Sequence, residues 1–196
     1  MNIADQIIAQ QILAKPWRDL SLCGVSCFED HLRWPSGRVD RELVIQLAWM
    51  EKGVVHDEYA MTISASTGVA ELRDLLKEAA AFSRGSIPVA WGAQARALLT
   101  ETMSKNPEAL DGVDLKLCFL LRKKSRWLDP SIWCRIRTGK LLPMDTIMES
   151  VRLAPIRPAI DVAALAYHLP TRDGFPVKPE WTASETAEWQ ELQEAF

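Results

Sequence analysis

Eight basic side chains fall between positions 116 and 140 of this chain: Lys116, Arg122, Lys123, Lys124, Arg126, Arg135, Arg137 and Lys140. Only Asp129 opposes them. The window therefore carries +7, and because the whole chain carries −3, the remainder carries −10. A dense positive stripe on an acidic protein is what contact with phosphates calls for. Guanidinium forks can pair with phosphate oxygens or with the O6/N7 edge of guanine, while ammonium groups neutralise backbone charge. The competing reading is a solvated helix face paired with acids. Those acids are at hand, since Glu180, Glu185, Glu188, Glu191 and Glu194 have no base among them. Trp127 and Trp133 flank the basic cluster, as core residues or as platforms on which unpaired bases would stack.

Other chemistry is sparse. Glu29-Asp30-His31 and His56-Asp57-Glu58 are the densest titratable clusters, but neighbours on a strand point to opposite faces, so neither makes a ready acid–base pair. The four cysteines, Cys23, Cys27, Cys118 and Cys134, have two readings: buried thiols, or four ligands of a zinc ion. The C-x3-C spacing at 23 and 27 and the apolar setting of Cys118, in LKLCFLL, favour the first. There is no phosphate-binding loop, dinucleotide fingerprint, H-E-x-x-H or G-x-S-x-G. No catalytic residue, cofactor or metal is expected, and the chain is not expected to be an enzyme.

The elements that position these residues follow from periodicity and punctuation. Ile3, Ile7, Ile8 and Ile12 recur at helical spacing before Pro16. Residues 20–28 read as a strand, 31–37 as a loop, and 43–50 with 54–63 as a hairpin turning at Glu51-Lys52-Gly53. Helices are expected over 69–82 and 94–104, with a short strand at 89–91. Residues 106–112 form a polar linker. Further helices are expected at 114–124, 130–138, 144–153 and 160–168. For the helix at 130, Asp129 is the cap, Pro130 the first residue and Gly139 the stop. Thr182-x-x-Glu185 is a capping box opening a last acidic helix. Its Trp189, with Trp181 just before it, is a candidate docking surface for a protein partner.

Ser131–Leu153, SIWCRIRTGKLLPMDTIMESVRL, resembles the recognition helix and following helix of the Cro/lambda-repressor-like helix-turn-helix family. The residues that carry the resemblance are Ser131, Arg135, Ile136, Gly139, Lys140, Pro143, Thr146, Ile147, Val151 and Leu153. It implies a short helix offering polar and basic side chains to the major groove, with Ile132 and Ile136 locking it to the core. The stretch before it, RKKSRWLD, departs from the family's tight glycine turn. A fainter resemblance spans residues 22–99, whose order of elements is similar to that of the DEDD proofreading exonucleases. That family clamps two metal ions with four carboxylates. Here its Asp-x-Glu is Cys27-x-Glu29, its second acid has no counterpart over Gly92–Ala95, and Asp161 is the stand-in for a later acid, with the nearest histidine, His168, on the wrong side. The resemblance thus implies an exonuclease-like fold without its metal site.

With 196 residues, 48% of them apolar and 25% charged, the chain is long enough for a real core. It has no apolar run of membrane-spanning length and a start without a basic leader, so a cytoplasmic location is expected. The expected class is α+β: a small N-terminal sheet with packed helices over 1–105, a helical basic subdomain over 106–170, and a linker with an acidic helix over 171–196. The expected function is nucleic-acid binding, as a regulator or accessory factor touching duplex DNA through Arg122, Lys123, Lys124, Arg126, Ser131, Arg135, Arg137 and Lys140. A non-catalytic subunit of a nucleoprotein assembly is the alternative, and an inactive exonuclease-like protein a further one.

Overall fold

The computed structural model describes residues 14–33, 35–36, 39–83, 85–113 and 127–194. The expected helices at 3–14 and 114–124 lie almost wholly outside them, as do Lys116, Arg122, Lys123, Lys124 and Arg126. Along the described chain run β1 (Leu22–Arg33), β2 (Val39–Glu51), β3 (Val54–Ser64), α1 (Val69–Phe82), β4 (Ile87–Val89) and α2 (Gln94–Lys105). After them come α3 (Pro130–Thr138), α4 (Met144–Ser150), α5 (Pro158–His168) and α6 (Ala183–Glu194). The protein is of the α+β class, as expected from its sequence.

The sheet has the order β3-β2-β1-β4. β1, β2 and β3 form an antiparallel meander, and β4 returns parallel to β1 through α1. Leu128 extends the sheet by one parallel bridge to Val89, with its N–H donating to the Pro88 carbonyl at 2.9 Å. β1 outruns its expected end at Phe28, because β2 pairs with it residue for residue as far as Arg33↔Val39. That ladder outweighs the polar side chains of Glu29, Asp30 and His31. The β2–β3 turn is as tight as expected, with Lys52 and Gly53 both left-handed (φ 49° and 81°), the conformation that suits a two-residue hairpin.

Alternation along β1 divides the core. Cys23, Val25 and Cys27 face Leu72, Leu76, Leu99 and Met103 of α1 and α2. Leu22 faces the other way, into a core shared with Trp133, Met148, Val162, Leu165 and Ala183 from α3 to α6. Gly24, on the same side as Leu22, lies directly under the first turn of α5. A Cβ placed on it would stand 1.9 Å from the Ala159 carbonyl oxygen, so only glycine allows the helix this close to the strand. No described helix is long and apolar enough to cross a membrane.

Candidate nucleic-acid interface

α3 carries the surface in question, and its ends are built as the sequence foretells. Asp129 caps it, accepting from the Ser131 N–H at 3.0 Å and the Ser131 hydroxyl at 2.6 Å. Pro130 takes the first position, and Gly139 (φ 71°) ends the helix in the left-handed conformation. The same carboxylate reaches across to the sheet end and accepts from the Gly92 N–H at 3.0 Å. Asp129 is only 4% exposed, and burial raises its carboxyl above the ordinary range; the Ser131 and Gly92 donors and the Arg96 charge pull it back only in part.

A raised native pKa stabilises the fold fully below the unfolded value of about 3.9, and that contribution is lost as pH rises through the native value. An asparagine at this position would accept the same backbone bonds with no charge to bury. Asp129→Asn is therefore expected to leave the fold near neutral at pH 4, and to gain on wild type as pH rises to 7. Urea midpoints at the two pH values check this; equal differences at both would refute it.

The other anchor of α3 is Gln190, on α6. Its Oε1 accepts from the Asp129 N–H at 3.0 Å and from the Trp133 indole N–H at 2.7 Å, while its Nε2 donates to the Trp127 carbonyl at 2.8 Å. All of these groups are buried. Sequence reasoning missed Gln190; the one available signal is that Thr186 and Gln190 share a helical face with Ala183 and Ala187.

This packing decides which expected contact residues are at the surface. Ser131 is not: it is 4% exposed and its hydroxyl is bonded to Asp129, so that expectation is corrected. The whole first half of α3, Pro130 to Cys134, is covered. Ile132 is buried as the resemblance implies, whereas Ile136 lies on the exposed half of the helix and does not lock it to the core. Trp127 and Trp133 are buried too, at 2% and 0% exposure, and offer no platform for a base. Trp181 and Trp189 pair with each other at 6.0 Å and pack onto the protein's own core, which accounts for them without a partner.

Arg135, Arg137 and Lys140 are exposed on the last turn of α3 and the loop beyond it. Arg135 donates to the Gln193 carbonyl at 3.0 Å, on the C-terminal turn of α6. On the same turn of α6, Glu194 meets Arg96 of α2 at 3.6 Å. The Arg137 guanidinium lies over the Phe175 ring, 4.4 Å from its centre. Among the described residues, no carboxylate stands at ion-pair distance from Arg135, Arg137 or Lys140. All three also sit where cations suit the helix dipole.

A second place of interest is the middle of β1, just past its pairing with β4, close to where the exonuclease resemblance would put carboxylates. A small cleft of about 100 Å³ lies there, lined by Ser26, Cys27, Trp91, Gln94 and Val162, with no acid among its walls. Burial pushes the Cys27 thiol up to about 12, which leaves it a poor nucleophile. Asp161 is buried and accepts from the Ile156 N–H at 2.9 Å, holding the connector before α5. Glu29, Asp30 and His31 are exposed, and the His56 ring leans on Trp49 at 5.2 Å. Cys23 and Cys27 lie on one face of the sheet and Cys134 on the other, so these three do not converge on one ion; Cys118 is outside the described residues. No cluster of metal-ligating side chains occurs among the described residues.

Compared with known proteins, the chain matches no family model, no curated protein sequence and no solved structure.

Proposed function

We propose that this protein binds nucleic acid without cutting it, through the basic surface at the end of α3. The observation that carries the reading is the exposure of Arg135, Arg137 and Lys140 together, with no carboxylate at ion-pair distance among the described residues. Three cations held on one helix end beside a sequence rich in further bases (Lys116 to Arg126) suit a phosphate backbone. Because the first half of α3 is covered, contact runs along phosphates rather than through a helix inserted by its N-terminus.

The test is affinity for a labelled duplex and a labelled single strand across a salt series, for wild type and Arg135→Ala/Arg137→Ala. Wild type is expected to lose affinity steeply with salt. The double variant should bind roughly ten- to hundredfold more weakly with a shallower slope, as two lost phosphate contacts require. No binding by wild type at low salt sinks the proposal. The exposed Ile136, Leu141 and Leu192 around the same surface would then point to a protein partner, as in the assembly-subunit reading.

A further inference from the structure

A cleft of about 330 Å³ touching this surface opens between α3, α4 and the segment 172–175. Its floor is apolar, formed by Ile147 and Val151, and its charged lining is Arg137, Arg172 and Asp173. The hydroxyls within reach are already committed. Thr138 shares its one hydroxyl proton between the Cys134 and Lys140 carbonyls, and Ser150 donates to the Ile147 carbonyl, at 2.8–2.9 Å. What remains for a ligand is two guanidinium groups above a greasy floor, with one carboxylate beside them.

Both guanidinium groups are held in place. Arg137 stacks on Phe175, and Gly174, left-handed at φ 81°, carries the chain past its guanidinium, which a Cβ there would meet at 3.8 Å. Arg172 donates one N–H to the Val151 carbonyl at 2.9 Å, which fixes its plane and leaves its other donors available. A fork fixed in this way is matched to a phosphate. Inorganic phosphate alone would leave the floor uncovered, and a free base would leave both forks unused. A group joining phosphate, sugar and flat ring uses every part, with Asp173 able to accept from a sugar hydroxyl or a base amino group. The volume lies at the lower end of the range, about 300–1,000 Å³, usual for small-molecule sites.

We propose that this cleft binds one nucleoside monophosphate unit, its phosphate on Arg137 and Arg172 and its base on Ile147 and Val151. The proposal rests on the nucleic-acid reading only for the source of that unit, which is then a 5′-phosphorylated strand end rather than a free nucleotide.

The experiment is a set of titrations followed by amide and arginine side-chain NMR. The ligands are dAMP, deoxyadenosine, inorganic phosphate, and a short single strand with or without a 5′-phosphate. Signals of Arg137, Arg172 and Phe175 should move with dAMP, while deoxyadenosine and phosphate should each bind at least tenfold more weakly. Arg137→Gln, at an exposed position, should keep the fold and weaken dAMP about tenfold, the loss expected for one charged hydrogen-bonding partner. A 5′-phosphorylated strand binding at least as well as dAMP, and better than the unphosphorylated strand, supports the strand-end source. If dAMP binds there but no strand does, the nucleotide site stands and the proposed function fails. If strands bind along α3 in a salt-dependent way while dAMP leaves all three residues unmoved, the cleft proposal is overturned and the proposed function stands.

Discussion

Gln190→Ala is expected to lower the free energy of unfolding by about 4 kcal/mol, because three buried groups lose their partner at once. The Asp129 N–H and the Trp133 indole N–H would lose the Gln190 acceptor, and the Trp127 carbonyl would lose the Gln190 donor. Each orphaned buried group costs about 1–3 kcal/mol, and the missing side-chain volume adds a further term. Gln190→Met separates the two effects, since it fills the space and makes none of the bonds; it should still lose about 3 kcal/mol. Urea unfolding followed by tryptophan fluorescence reads both variants. A methionine variant within about 1 kcal/mol of wild type would show that the three bonds contribute little.

Gly24→Ala should be nearly as damaging, by a different cause. The added methyl group would sit 1.9 Å from the Ala159 carbonyl oxygen and 3.0 Å from the Ala163 Cβ, so α5 would have to lift from the sheet. Overpacking in a close-packed core costs typically about 1–3 kcal/mol, and the loss here is expected at about 3 kcal/mol because backbone, rather than a rotatable side chain, is in the way. For the same reason Ala159→Gly would give no relief. Gly68→Ala is the matched control: its Cβ meets nothing within 4 Å, and its effect should stay below about 1 kcal/mol. Equal midpoints for the two glycine variants would contradict the close approach of α5.

The contrast between these sites shows what a sequence can reveal. Features set by residues within a few positions of one another are legible. Asp129, Pro130 and Gly139 mark both ends of α3, and Thr182 and Glu185 exchange the capping bonds that their spacing implies, at 2.7 and 3.1 Å. The α+β class is legible as well. Features set by distant partners are not. β1 continues through Glu29, Asp30 and His31 because β2 lies beside it, a fact held in residues 39–43. Ser131 matches a helix-turn-helix pattern, yet the pattern is silent on Asp129 turning that hydroxyl inward. α4 stops at Ser150 rather than Leu153 because Arg152 adopts φ 59° and the Leu153 N–H returns to the Met148 carbonyl. Of the candidate contact residues, Arg135, Arg137 and Lys140 stand out by charge alone. Arg172 and Phe175 escape notice because single residues in a Pro- and Gly-bearing segment carry no periodic signal.

The bond from Trp133 to Gln190 also sets a clock for the newly made chain. Its two ends are 57 residues apart in sequence. At a synthesis rate of about 5–20 residues per second, the acceptor is polymerised roughly 3–11 seconds after the indole that needs it. During that interval α3 has its cap but not its lock, and the Asp129 N–H, the Trp133 indole and the Trp127 carbonyl lack the side chain that ties them together. A nascent chain stalled before residue 190 should therefore be cut by protease within this region, and become resistant only once α6 has been made and can close over Trp133.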